Sequence, residues 1–291
     1  MYPTEHVVSP DSLKSILNAH GLNVSTLTPI SEGWDFVIYK LNATHILRVP
    51  KRRQVAARAR SEVAFLDALR PRISITVPHY DIVLETEETN GLLLGYPFLE
   101  GVPLSVPVTK EDLSQLAKPL ATLLSVVHRL ADTTDVAIDN HTDLLELRNK
   151  ASEAFIMLSP RMDARQRETI LSRLQASMPL VGARGPIHND LRPDHILRGV
   201  TGTMVIDWTD ISWGYPWEDL LHLWICCGDI VTRAIAAHYQ GWHSSWDDNI
   251  RIAGTWKALL EWQYSVETED KLKAALVDQF LRRIAVRQGR E

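Results

Sequence analysis

The densest polar cluster beside apolar strands is PIHNDLRPDHILRGVTGTMVIDWTD, residues 186–210. His188, Asp190, His195 and Asp207 could do chemistry there. Residues 196–198 and 204–206 read as short strands joined through Gly199-Val200-Thr201-Gly202, and an antiparallel hairpin brings its open ends together, which places His195 near Asp207. Asp190 lies five residues before His195, on a loop where Pro193 discourages helix, so its carboxylate can face the same opening. A metal bound to phosphates needs a hard carboxylate ligand and one further donor, roles that fit Asp207 and His195. Phosphoryl transfer to an alcohol also needs an acceptor for the hydroxyl proton, near the metal but not consumed by it, and Asp190 is the candidate. Taken singly, each residue is an ordinary turn former. Turn chemistry, however, requires no His-x-Asp, no five-residue offset and no apolar strand ending in Asp.

The elements that must position these groups follow from periodicity. Residues 11–20 place Leu13, Ile16 and Leu17 at helical spacing before Gly21. Residues 36–41 and 45–49 read as a β-hairpin about an Asn-Ala turn, with Pro50 ending the second strand. Residues 54–70 are helical, and strands return at 82–85 and 92–98. Beyond Gly101-Val102-Pro103, Thr109 and Asp112 resemble a capping box that opens a long helix through Leu130, with Pro119 inside it. Residues 142–178 and 218–288 are mainly helical. The expected class is α+β: a small strand-rich N-terminal lobe over residues 1–100, a hinge at 96–101, and a larger helical lobe over 101–291.

Composition narrows the partners. With 31 Lys+Arg against 36 Asp+Glu the formal charge is −5, which argues against nucleic acid as the main partner. The N-terminus has no basic start followed by an apolar run, and no apolar stretch is long enough to cross a bilayer, so a cytoplasmic monomer away from the membrane is expected. Cys226 and Cys227 are neighbours in an apolar helix, a spacing unsuited to a disulfide framework or a metal site.

His188-Asn189-Asp190 with His195, followed by Ile206-Asp207, resembles the catalytic loop and metal-binding aspartate of protein-kinase-like enzymes, and within them the aminoglycoside phosphotransferase family, which includes macrolide phosphotransferases. The resemblance implies a Mg²⁺-dependent enzyme that moves the γ-phosphoryl group of ATP or GTP to an antibiotic hydroxyl. Asp190 then matches the catalytic aspartate and Asp207 the principal Mg²⁺ ligand. His195 stands where Asn is more common, as in some aminoglycoside 2″-kinases and macrolide kinases, and is a softer donor for Mg²⁺ than oxygen. Gly214-Tyr215-Pro216-Trp217-Glu218-Asp219-Leu220 resembles the family's later Gly-Asp-Pro-x-x-Asp-Leu element, with Tyr215 replacing its first Asp. Asp219 reads as a carboxylate that supports the loop, and it also stands among the candidate substrate contacts.

In the N-terminal lobe, Arg48 sits where the family has its strand Lys, with Glu62 in the following helix as its partner and Lys51 as the alternative cation. Without the downstream motif, Arg48 and Glu62 would read as a surface ion pair of roughly 0 to 1 kcal/mol. Gly33, in Ser31-Glu32-Gly33-Trp34-Asp35, occupies the place of a phosphate-covering loop, although it is a single glycine rather than a Gly-rich run. Tyr96 and Phe98 in the hinge are the candidates for backbone contacts and an apolar shelf beneath a nucleotide base.

Eight of the nine tryptophans lie between Trp208 and Trp262. Trp242 and Trp246, beside Asp247 and Asp248, suit a sugar ring and a protonated amine, with Asp229 and Glu261 as further amine contacts. Helix packing and solvated charge account for any one of them equally well. The Gly33-Trp34-Asp35 turn and the His-Asn-Asp loop look closer to aminoglycoside 2″-kinases than to macrolide kinases. The alternatives are a macrolide 2'-phosphotransferase or a metabolite kinase, a nucleotide-binding pseudokinase, and a metal-dependent hydrolase in which Arg48 and Glu62 would have no role.

Overall fold

The computed structural model describes residues 8–130, 138 and 141–287. Residues 1–7, part of the stretch read above as carrying no secretory leader, lie outside them, as does Gln288 at the end of the last helical segment. The chain divides into two compact units, and the first is discontinuous: it runs to Val102 and takes back Leu197–Asp210. A single linear boundary near residue 100 therefore differs from the observed division, because the segment ending at Asp210 joins the strand-rich unit through backbone pairing. Val205 N–H donates to Thr76 O at 3.0 Å.

In the first unit, β1 (Leu27–Glu32), β2 (Phe36–Leu41), β3 (His45–Pro50), β4 (Ile82–Leu84) and β5 (Leu93–Pro97) form an antiparallel sheet in the order β1-β2-β3-β5-β4. The β2–β3 turn is the Asn-Ala pair, both residues left-handed at φ 49° and 57°. Such a turn matches the twist of the strands it joins. Ser31 and Glu32 belong to β1, so the turn that follows shrinks to Gly33-Trp34-Asp35. Alternation along β2 and β3 turns Tyr39, Leu41, Leu47 and Val49 into one cluster with Leu13 and Leu17 of α1 (Pro10–Ala19). Each fully buried leucine contributes about 1.5 to 3 kcal/mol relative to exposure. α2 (Arg53–Leu69) follows β3 and buries Phe65, Leu66 and Leu69 together with Glu62.

Two short strands were not foreseen in the second unit, β7 (Gly185–Ile187) and β10 (Ser212–Gly214), which pair antiparallel. Three residues carry too little periodicity to register in sequence. The helices are α3 (Lys110–Val127), α4 (Leu144–Leu158), α5 (Ala164–Gln175), α6 (Leu221–Cys227), α7 (Asp229–Ala236), α8 (Ser245–Glu267) and α9 (Lys271–Arg287). α3 begins in the anticipated capping box: Thr109 Oγ1 accepts the Asp112 N–H at 3.1 Å, and Asp112 Oδ2 accepts the Thr109 N–H at 2.8 Å. α8 is the centre of the unit, with α4, α6 and α9 packed on it. Gly254 allows the close approach of α6, since a Cβ there would lie 2.6 Å from the Trp224 ring. The chain also forms β6 (Val102–Pro103) before α3, and β8 (Ile196–Gly199) and β9 (Gly202–Val205) after β7, paired in the order β6-β8-β9, so the expected 196–206 hairpin is present.

Candidate active site

In the second unit, β7 delivers the chain into the His188-Asn189-Asp190 loop. Asn189 is left-handed at φ 67°, a conformation that Asn tolerates better than most residues and that turns the chain sharply. Asp219, in the 3₁₀ turn Pro216–Leu220, accepts the backbone N–H groups of His188 at 3.1 Å and Asn189 at 2.7 Å, and also bonds His128 Nε2 at 3.0 Å. His128 Nδ1 continues to the Tyr239 hydroxyl at 2.8 Å. Burial pushes the Asp219 carboxyl up, but these donors and the charge of His128 outweigh it and hold the group below its ordinary value. Asp219 is thus a loop support, and its burial removes it from the candidate substrate contacts.

His195 closes a 3₁₀ turn, Pro193–His195, where a loop was expected. Pro193 occupies the first helical position, which needs no N–H, so it starts the turn rather than preventing it. The turn sets His195 Nδ1 2.8 Å from the Asp190 carbonyl oxygen and 3.6 Å from Asp190 Oδ2. Any bond from this ring to a metal would therefore come from Nε2.

Asp190 is partly exposed, and its Oδ1 lies 3.1 Å from Nε2 of the buried His222 of α6. His222 Nδ1 in turn lies 2.9 Å from Glu261 Oε1. Glu261 and Lys257 are one turn apart on α8, and Lys257 Nζ donates to the Asn189 carbonyl at 3.1 Å. Burial, with the Lys257 ammonium, pushes the His222 imidazole down to about 3 against the pull of Glu261. Burial acts upward on Glu261, yet His222, Arg192 and Lys273 bring it down to about 2. A charged ring helps Glu261 and is itself opposed by burial, so the two directions compete. Glu261 is the firmer case, because Arg192 and Lys273 hold it ionised without the ring.

A second cluster is built in the first unit. Arg48 of β3 donates from Nη1 to Glu62 Oε1 at 2.8 Å and to the Tyr80 hydroxyl at 2.6 Å, and from Nη2 to Asp207 Oδ1 at 3.0 Å and Thr209 Oγ1 at 2.6 Å. Thr209 donates to Glu62 Oε2 at 2.7 Å. The Arg48–Glu62 pair is buried, not the surface pair that its sequence context allowed. The guanidinium fork already serves four protein groups, a correction to the simple expectation of a phosphate-holding cation. Asp207, left-handed at φ 64°, keeps a side chain 45% exposed and suits a hard divalent cation through oxygen. Lys51 pairs with Glu32 at 2.6 Å.

Gly33 is exposed and its N–H bonds Phe36 O at 2.9 Å, while the neighbouring Asp35 is tied to Arg52 and Arg58. The Tyr96 side chain is buried edge-to-face against Tyr80, so any contact it offers a base is through its backbone. Phe98 is exposed beneath the Lys40 ammonium, and its N–H bonds Thr44 O at 2.7 Å. Trp246 is buried, with Nε1 on Val181 O at 3.0 Å, so it corrects to a packing residue; Trp242 lies edge-on to it and is half-buried. Asp229 accepts Trp224 Nε1 at 2.7 Å and faces Arg251 and Arg233, whereas Asp247 lies half-buried in the first turn of α8. Burial raises the thiols of Cys226 and Cys227 to about 11 and about 12, which leaves them protonated and unreactive.

The model of the phosphotransferase enzyme family matches residues 26–259. The chain belongs to that family. This phosphotransferase has the protein-kinase-like α+β fold, shared with the GDP complex of aminoglycoside 2'-phosphotransferase-IIIa at a TM-score of 0.78 and 19% identity, covering 96% of this chain and 98% of that one. Macrolide 2'-phosphotransferase type I superposes at 0.68 and 20% identity over 94% and 98%. A sequence relative, the uncharacterized protein YcbJ of Bacillus subtilis (strain 168), is 25% identical over 67% of each chain. Among the phosphotransferase's described residues, no helix is long and apolar enough to cross a membrane. His222, Lys257, His128 and Thr209 are site residues that sequence reasoning missed. The available signal was a lone polar residue in an apolar helix, His222 in LHLWICC.

Proposed function

We propose that this phosphotransferase transfers the γ-phosphoryl group of ATP or GTP to a hydroxyl of a small amine-bearing molecule, an aminoglycoside antibiotic being the first candidate. The observation that carries the reading is the Asp190 carboxylate, partly exposed at the end of a loop whose backbone is clamped by Asp219. A general base must be held still and still reach its proton. Asp190 orients the acceptor hydroxyl and takes its proton while the new O–P bond forms and the bond to the β-phosphate oxygen breaks. Mg²⁺, when bound, supplies charge neutralisation at the phosphates, with Asp207 and Nε2 of His195 as the protein's ligands. Arg48 keeps Asp207 and Glu62 in register. Either nucleotide is reasonable, since related structures carry GDP or ATP. The cytosol supplies both, and we place the protein there.

Related structures hold kanamycin or streptomycin, cationic antibiotics. One observation favours a second acceptor class. Asp219, Asp229 and Glu261, three carboxylates available on paper to bind amines, are engaged by groups of the protein itself. An acceptor with a single amine, a macrolide or an amino alcohol, needs fewer of them. Mass spectrometry of aminoglycosides, macrolides and amino alcohols after incubation with the protein, Mg²⁺ and ATP or GTP decides between these. A product heavier by one phosphoryl group names the class, and nucleotide binding without any product points to a pseudokinase.

A further inference from the structure

His222 has no part in the mechanism above, yet it is a buried polar group of the second unit. Its side chain is 6% exposed. Each ring nitrogen faces one carboxylate oxygen: Nε2 is 3.1 Å from Asp190 Oδ1 and Nδ1 is 2.9 Å from Glu261 Oε1. Neither nitrogen makes a well-aligned hydrogen bond, to these oxygens or to any other group. Burying an imidazole in this way is costly unless its nitrogens are satisfied, and the two carboxylates are the groups in position to do so.

Glu261 is fixed from its other side. Arg192 Nη1 lies 4.0 Å from Oε1 and Lys273 Nζ 3.8 Å from Oε2. Lys257, one turn earlier on α8, bonds the Asn189 carbonyl immediately before Asp190. Thus α8 grips the loop backbone through Lys257 and reaches the Asp190 side chain through Glu261 and His222. Asp219 fixes where the loop runs through the backbone N–H groups of His188 and Asn189, whereas His222 lies against the Asp190 side chain itself.

We propose that His222 is a positioning residue for Asp190: the ring, oriented by Glu261 at Nδ1, holds Oδ1 at Nε2 and so aims Oδ2 at the acceptor hydroxyl. A hydrogen on Nε2 ties the Asp190 carboxylate to the ring and keeps it unprotonated, as a base must be. The contacts are close without being collinear, the condition in which catalytic hydrogen bonds are commonly found before substrate tightens them. The arrangement generalises the rule that a catalytic base is itself oriented by a third group. It rests on the assignment of Asp190 as the base.

The test compares His222→Leu, His222→Gln and Glu261→Gln in the full-length protein. Steady-state transfer to whichever acceptor the wild type uses is measured beside the melting temperature and the imidazole ¹⁵N resonances of His222. His222→Leu should lower kcat at least tenfold with KM for nucleotide within twofold, and His222→Gln, which keeps a polar atom near Asp190, should recover most of that loss. Glu261→Gln, which leaves the ring unaimed, should fall between them. The ring resonances should shift in both Asp190→Asn and Glu261→Gln. Wild-type kcat in a folded His222→Leu protein overturns the proposal. So does a loss that His222→Gln shares in full and that tracks the melting temperature, the behaviour of a purely structural residue. If His222→Leu does not fold, an unchanged kcat in Glu261→Gln overturns it instead. A wild type that transfers to no acceptor overturns the kinase reading and, with it, this role for His222, while ring resonances that ignore Asp190→Asn overturn the contact alone.

Discussion

Asp190 and Asp219 stand in one short region of the second unit and do opposite things, and their surroundings decide which does what. Asp190 keeps solvent access and a carboxylate that can meet a proton; Asp219 is buried and gives its oxygens to backbone N–H groups. Asp190→Asn should lose about 100-fold or more of turnover and keep nucleotide affinity, which kcat and a nucleotide titration read separately. Turnover within a factor of three would remove the assignment. Asp219→Asn should cost about 1 to 3 kcal/mol, because an amide accepts through one oxygen only and leaves a buried N–H unpaired. Since the folded carboxyl is held below its ordinary 3.8, its contribution is fully present above that value and is lost as pH falls through the lower folded value. Urea midpoints for wild type and Asp219→Asn should therefore differ at pH 7 and converge as the pH falls through that lowered folded value. A gap that stays constant with pH would show that ionisation is not what Asp219 contributes.

At the scale of elements, the site depends on close backbone approach and on buried pairing. Gly185, the first residue of β7, has no room for a side chain: a Cβ would lie 2.0 Å from the carbonyl oxygen of His128, just past the end of α3. Gly185→Ala must push β7 and the following His-Asn-Asp loop away from α3, so both the melting temperature and turnover should fall. An unaffected melting temperature would mean the two elements can separate at no cost. In the first unit, β3, α2 and the segment after β9 are joined through Arg48. Arg48→Met should cost about 3 to 5 kcal/mol by leaving Glu62 buried without a cation, and adding Glu62→Met should return much of it. Equal stability of the single and double variants would contradict that account. Sequence reading located these elements well where periodicity was long, as in α2, α3 and the β2–β3 hairpin. It missed β7 and β10 because three-residue strands owe their existence to pairing with each other.

For the whole molecule, Arg48, Glu62 and Asp207 belong to one unit and Asp190, His195 and Asp219 to the other. Mg²⁺ with ATP or GTP at 100 times its dissociation constant should stabilise the native protein by about 2.7 kcal/mol, visible as a rise in melting temperature. Asp207→Ala should abolish the metal-dependent part of that rise. If nucleotide raises the melting temperature equally without Mg²⁺, Asp207 is not acting as a metal ligand.

What the sequence determined by itself was the order of reactive groups: a His-x-Asp loop, a His five residues after its Asp, and an apolar strand ending in Asp. Residue identity and short spacing carry that information, because hairpins and turns are local. The sequence also paired Arg48 with Glu62, fourteen positions apart, since a strand feeding directly into a helix leaves few alternatives. Only the tertiary structure decided whether each group faces solvent or another residue. Glu261, Asp229 and Trp246 looked like substrate contacts because composition and spacing do not report burial, and their partners lie on other helices or loops. His222 stood out in sequence only as a polar residue in an apolar helix: its partners Asp190 and Glu261 are 32 and 39 residues away, and only packing of α6 against α8 and the loop brings a ring nitrogen to each.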